Sequence, residues 1–251
     1  MSKNSWQSSL KDYEKFVVDR KYDSEYLRRV GLHSNLLDII NRYPKGRLLD
    51  VGCGDGWMFR HIKGFEYHSC DVTEPADRKF IEEGRFSLQD IRKLSYESDS
   101  FDIVVASLVL IWFSEIELAV EELCRVTDRS NGSIIVALVN PYFYRTGDVD
   151  TDGNFKITAD LSKDFIIKDH KISGLVGPFS YYYRPPYKYI NLFLKNGVHL
   201  KNIFDWFIDI DDYNSEVSNR ENSKIRRTGK VPLFTFMEFS YSGTQTNFKP
   251  K

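Results

Sequence analysis

The stretch GRLLDVGCGDGWMFRHI, residues 46–62, decides the fold. Arg47 to Val51 is a short apolar run carrying Asp50 next to its end, the profile of a strand buried in a parallel sheet. Gly52, Gly54 and Gly56 then allow a sharp turn and close backbone approach to a ligand. Trp57 to Ile62 continues without breakers and reads as the first turns of a helix. Strand, glycine turn and helix start together make a cradle of the nucleotide-binding kind. A dinucleotide fingerprint needs G-x-G-x-x-G, but its third glycine position is Trp57 here and the glycines run G-x-G-x-G. That spacing suits a ligand without a pyrophosphate. No Gly-Lys-Ser/Thr follows, which removes a P-loop.

Composition narrows the classes. At 251 residues the chain reads as one α/β domain with additions. A net charge of −1 provides no global field for nucleic acid or an anionic membrane, so neither is expected as partner. Cys53, Cys70 and Cys124 form no C-x-x-C pair, which fits a reducing compartment better than a disulfide framework or zinc site. The opening MSKNSWQSSLKDYEKF has no signal-type apolar run, and no 18-residue apolar span occurs, so a soluble cytoplasmic protein is expected. Aromatics reach 15%, more than a core of this size needs, leaving some to line a pocket.

The segment LLDVGCGDG resembles motif I of the class I S-adenosylmethionine (SAM) dependent methyltransferases, where the turn passes under the methionine part of SAM. Further segments agree. Phe65 to Cys70 reads as the second strand, and Asp71 at its end lies 19 residues after Gly52, where an acidic side chain accepts from ribose hydroxyls in SAM and NAD enzymes alike. The resemblance places Val72 beside the adenine. It also sets Asp90 against the adenine amino group and Ile91 on the ring, although an Asp that merely caps a helix reads the same way. FDIVVA, from Phe101, looks like motif IV, followed by Ser107 and Leu108 in the SAM crevice. ELCRVTDRSNGSIIVAL matches the family's E-x-x-R-V segment and fifth strand, with Asn131 in place of a glycine. Gly52, Cys53 and Gly54 complete the implied SAM site.

The resemblance implies a doubly wound, mostly parallel seven-stranded sheet of order 3-2-1-4-5-7-6, strand seven antiparallel. The expected layout is one methyltransferase domain over 1–251. It comprises an N-terminal helical cap (1–43), a SAM-binding half (44–140), a substrate-covering insertion (141–190) and C-terminal strands (191–251). Ser9 to Asp19 and Ser24 to Asn41 read as amphipathic helices, the second with Ser24 as N-cap. Arg28, or its neighbour Arg29, aligns with an arginine that holds the SAM carboxylate by two hydrogen bonds; a solvated helix face is the alternative. Tyr13, with Trp6 second, is a candidate to face the sulfonium, or else staples a helix to the core. Glu74 to Glu83 reads as a weak helix started by Pro75.

The acceptor side is less specific. Where many relatives carry a histidine, Ile111, Trp112 and Phe113 offer an aromatic wall, with Trp112 a substrate-binding candidate. Asn140 to Gly177 has little periodicity and reads as an inserted loop or small hairpin; the resemblance implies a substrate-covering lid here, with Tyr142 at its start a substrate-binding candidate. Its DVDTDG lacks the glutamate of a calcium loop, and no metal is expected. YYYRPPYKY resembles the family's H-R-P segment with Tyr183 in place of the histidine, so Tyr183 or Arg184 contacts the acceptor or joins a structural aromatic cluster. Pro186 to Asn196 then reads as a helix stopped by Gly197, Val198 to Phe207 as a strand, and Val231 to Tyr241 as the last strand. His33, Tyr13 and Tyr183 are the candidates for a catalytic base.

The expected function is methyl transfer from SAM, leaving S-adenosylhomocysteine, to an oxygen or nitrogen of a small molecule by a monomer or homodimer. A tRNA or protein methyltransferase is the alternative, as is a non-catalytic SAM-binding partner protein. SLVLIW, after strand four, lacks the N-P-P-Y-type motif that the first of these would carry.

Overall fold

The computed structural model describes residues 27–75, 77–142, 147–150, 152, 154–170, 179–208 and 231–241. Ser24, Tyr13, Trp6 and the polar run 209–230 lie outside them. The described residues group into two compact units. One takes the segments up to Tyr43, Leu138–Pro185 and Asp205–Thr235; the other takes Pro44–Ala137, Pro186–Phe204 and the chain from Phe236.

The second unit carries the strand–turn–helix run. β1 (Arg47–Val51) pairs in parallel with β2 (Glu66–Asp71) on one side and β4 (Ile103–Ser107) on the other. β2 pairs with the short β3 (Phe86–Leu88), and β4 with β5 (Ser133–Val139). Leu48, Leu49, Val104, Val105, Ile134 and Ile135 are fully buried, as near-continuous apolar strands in a parallel sheet must be. Helix α1 (Ser34–Ile40) belongs to the first unit, whereas α2 (Trp57–His61), α3 (Arg78–Glu83), α4 (Ile116–Val126) and α5 (Pro186–Lys195) alternate with or follow these strands. The E-x-x-R pair of α4 fixes the loop before β4. Arg125 bonds Glu122 at 2.6 Å and the carbonyls of Tyr96 and Leu94 at 2.7 and 3.0 Å, while Glu122 accepts from the Leu94 amide at 2.6 Å.

The sheet runs β10-β11-β5-β4-β1-β2-β3, with β10 His199–Trp206 and β11 Phe234–Ser240, which is the order expected from the sequence. Contacts along β10 and β11 show opposed directions. Trp206 meets Phe234, Phe204 stacks on Phe236 at 5.0 Å, and Asn202 bonds Glu238 at 2.9 Å, so each step down one strand is a step up the other.

Three readings change. The helix read from Glu74 begins only at Arg78, because Asp77 accepts from the Phe80 amide at 3.2 Å and caps it. The helix read over Ser24 to Asn41 opens, within the described residues, as a π-helical turn, Arg28–His33, with the Ser34 amide bonded to the Arg29 carbonyl. The insertion is more regular than its composition suggests. It contains the hairpin β6 (Gly147–Val149) with β7 (Phe155–Ile157), and β8 (Phe165–His170) paired antiparallel with β9 (Phe179–Tyr183). Asp150, in DVDTDG, accepts from the amides of Asp152 and Asn154 and pairs with Lys156, so it serves the turn. Among the described residues no helix is long and apolar enough to cross a membrane.

Candidate functional site

The glycine turn is built by hydrogen bonds that point inward. The amides of Gly52 and Cys53 both donate to the Cys70 carbonyl, at 2.8 and 3.2 Å, and Gly56 donates to the Cys53 carbonyl at 3.1 Å. The Gly54 amide donates to Asp71 Oδ2 at 3.0 Å. These four amides are spent inside the fold, so they do not form the donor nest that a phosphate requires. Gly52 at φ 74° and Gly56 at φ 72° occupy left-handed backbone against Val109 and Phe80, which a Cβ would strike at 2.6 Å. Gly54, at φ 54°, differs: a Cβ there would meet nothing within 4 Å. The turn is therefore closed beneath Gly52 and Gly56 and open above Gly54.

Asp71 stands beside that opening. It is 7% exposed, its Oδ1 accepts from the Thr73 amide at 3.2 Å, and its Oδ2 is held by Gly54. A carboxylate is the acceptor that a ribose diol needs. The hydroxyl of Thr73 is buried and has no hydrogen-bond partner among the described residues, so an additional polar group is called for at this point.

Asp90 accepts from the Arg92 amide and Nε at Oδ1, both at 3.0 Å, and from Nη2 at Oδ2 at 2.6 Å. The Arg92 guanidinium holds its carboxyl below the ordinary range and also lies 5.4 Å from the centre of the Phe113 ring. Ile91 next to it is buried. At the carboxyl end of β4, Ser107 and Leu108 are half-buried. Leu108 takes φ 55° while its amide bonds the Ala137 carbonyl at 2.8 Å, a strained backbone of the sort found where ligands bind. Trp112 ends a 3₁₀ turn, half-buried. Gly52, Cys53, Gly54, Asp71, Val72, Asp90, Ile91, Ser107, Leu108 and Trp112 thus all fall in the unit that carries the parallel strands.

Within that unit Asp50 is a buried carboxyl with a displaced proton affinity. It is 2% exposed, and the Tyr67 hydroxyl donates to it at 2.6 Å. Burial lifts its pKa to about 7, opposed by the Tyr67 bond and assisted by Asp71 and Asp55. Burial also pushes the Cys53 thiol well up, so it packs as an apolar group.

Arg28, His33, Tyr142, Tyr183 and Arg184 belong to the other unit. Arg28 and His33 bound the π-helical turn, whose Gly31 lets the Trp206 ring come within 2.6 Å of where a Cβ would stand. Tyr183 is 3% exposed and stacked on Phe165 at 4.4 Å; Arg184, 5% exposed, has its guanidinium 4.9 Å from the Tyr182 ring centre. These two therefore sit in a packed aromatic cluster. Sequence reasoning did not single out Asn140, which is buried and binds Thr235 Oγ1 at 2.8 Å and Asp205 Oδ1 at 3.2 Å, and accepts from the Tyr142 amide at 2.9 Å. A polar residue ending the apolar strand SIIVALV was the available signal.

Comparison with known proteins agrees with this geometry. Residues 49–136 match the methyltransferase domain family. The chain is 26% identical over 150 residues to malonyl-[acyl-carrier protein] O-methyltransferase of Halorhodospira halophila, covering 55% of this chain and 48% of that protein. It is 30% identical over 111 residues to the enzyme of the same name from Erwinia billingiae, covering 41% and 44%. The chain thus spans about half the length of these curated relatives. The solved SAM-dependent methyltransferase from Mesorhizobium loti superposes with a TM-score of 0.59 at 17% identity, over 81% of this chain and 95% of that one, a likeness of fold. Residues 49–136 thus match a methyltransferase domain, and the fold around them is the Rossmann-like one of the solved SAM-dependent methyltransferase.

Proposed function

We propose that this protein transfers the methyl group of SAM to an oxygen or nitrogen of a small-molecule acceptor. The observation that carries the reading is the cradle at Gly54: open space above its Cα, the Asp71 carboxylate fixed by its amide, and the unpartnered Thr73 hydroxyl alongside. These features fit a nucleoside, and the spent amides of the turn disfavour a pyrophosphate. Asp71 takes the ribose hydroxyls, Thr73 adds a third polar contact, and Asp90 with Ile91 takes the adenine edge and face.

When bound, SAM supplies an electrophilic methyl group on a sulfonium. The residues of the chain then contribute mainly alignment, an effect that reaches about 7–11 kcal/mol when reacting groups are well oriented. Hydroxyl and ammonium acceptors need a proton acceptor. Oxygen is favoured over nitrogen by the malonyl O-methyltransferase relatives.

Titration calorimetry with SAM tests the premise, and labelled methyl transfer to a metabolite extract, with and without nuclease, tests the acceptor. Binding that is weakened at least tenfold in Asp71→Asn, with label entering a nuclease-resistant small molecule, is expected. No binding by the wild type removes the reading; label that vanishes with nuclease moves the acceptor to nucleic acid.

A further inference from the structure

A buried carboxyl stands at the foot of the cradle with no cation to match it. Asp50 is 2% exposed and is next to last on β1, two residues before Gly52. β1 runs straight into the turn, whose Gly52 and Cys53 amides are tied to the Cys70 carbonyl. The Tyr67 hydroxyl donates to Asp50 Oδ2 at 2.6 Å, and among the described residues nothing donates to Oδ1. Its register partners are Ser69 on β2 and Val105 on β4, neither of them charged. The titratable groups that face it are Tyr67 and Asp71 on β2 and Cys53 and Asp55 in the turn, so the only charges acting on it there are negative. Asp55 is matched by Arg60 at 2.8 Å, and Asp71 by the amides of Gly54 and Thr73. Among the described residues Asp50 has no such counterpart.

The bond to Tyr67 does not require a carboxyl. An amide oxygen would accept it without the desolvation that a charge carries. What a carboxyl adds is a negative charge that ionises when a cation arrives nearby. The two forms of the cofactor differ in that respect alone: SAM carries a sulfonium, its product S-adenosylhomocysteine a neutral thioether, and the remaining groups are common to both.

Building on the methyl-transfer reading, we propose that Asp50 is a specificity-determining residue of the cofactor site, whose carboxylate makes the cradle favour SAM over S-adenosylhomocysteine. Burial keeps a proton on Asp50 up to about pH 7, so the preference is present above that pH and fades below it. SAM draws out the ionised form and a proton leaves as it binds, whereas the product leaves the proton in place. An opposite charge nearby lowers the pKa of a carboxyl by about one to three units, and by linkage one unit is a tenfold change in relative affinity. Methyl transfer removes the sulfonium, Asp50 regains its proton, and the product is held less tightly than the substrate was.

Titration calorimetry on the full chain, with each cofactor form and in buffers of differing ionisation heat, reads affinity and released protons together. The wild-type preference for SAM should rise about tenfold from pH 5.5 to pH 8.5, with about half a proton more released by SAM than by the product near pH 6.5. Asp50→Asn keeps an acceptor for Tyr67 and should bind both forms, but lose that rise and that proton; the cofactor's own amino group titrates alike in both proteins. Tyr67→Phe removes the bond that lowers the proton affinity of Asp50 and should move the wild-type transition to higher pH. A preference that changes equally with pH in wild type and Asp50→Asn, or does not change in the wild type, overturns the proposal alone. A wild type that binds neither form loses the methyl-transfer reading and this proposal with it.

Discussion

Replacing Asp50 by Asn should stabilise the protein more at pH 8 than at pH 5, where somewhat over a third of the effect is already present. In the folded chain this carboxyl is buried and its pKa stands at about 7, against 3.8 for an ordinary aspartate. A folded state that holds a proton more tightly than the unfolded chain loses stability as pH rises, here between about 4 and 7. At about 1.4 kcal/mol for each tenfold in proton affinity, a rise of this size withdraws about 4 kcal/mol once pH exceeds 7. Asn keeps an oxygen to accept from the Tyr67 hydroxyl but carries no charge to desolvate. Melting curves of wild type and Asp50→Asn at pH 5 and pH 8 read the effect, since other titrating groups cancel in the difference. For a chain of this length about 4 kcal/mol corresponds to about 10 °C. A gap of equal size at both pH values, or a variant less stable at pH 8, would refute the assignment of a buried, protonatable carboxyl.

Three further outcomes follow from the cradle. Gly54→Ala should cost the fold only about 1–2 kcal/mol for its left-handed backbone while weakening SAM binding at least tenfold, because the new methyl enters the open space; Gly52→Ala meets Val109 as well and should melt markedly lower, so equal melting temperatures would count against the contrast. Thr73→Val removes a hydroxyl that has no partner among the described residues, so calorimetry should show weaker SAM binding with no loss of melting temperature; a clear drop in stability would mean the hydroxyl serves the fold. Arg92→Ala releases the clamp on Asp90 and should narrow the preference for S-adenosylhomocysteine over its inosine analogue, which lacks the purine amino group; an unchanged preference reduces Arg92 to a surface ion pair of small worth.

The donor half of this protein was legible because its signals are local. Asp71 follows its own strand, Gly54 its own turn, and Arg125 reaches Glu122 three residues away on one helix. Apolar runs such as IVVAS and SIIVALV have one reading when turns bound them, so the parallel strands emerged with nearly their observed limits. Misplaced boundaries came from competition within a turn: Asp77 offers a cap that Pro75 cannot, and the helix starts where the cap is. The π-helical turn at Arg28–His33 is hidden for a similar reason, since moving one hydrogen bond from i−4 to i−5 leaves apolar spacing almost intact.

The acceptor half is a different physical problem. Tyr183 and Arg184 read equally as pocket or packing residues, because an aromatic side chain is enriched in both; only the stack on Phe165 shows which neighbour it has taken. Asn140 meets Asp205 across 65 positions and Thr235 across 95, with no motif joining them. A cluster of that kind arises only when the sheet has closed. The cofactor is shared chemistry and can be held by turns that travel intact within one segment, whereas an acceptor is specific and is met by residues that the fold must first bring together.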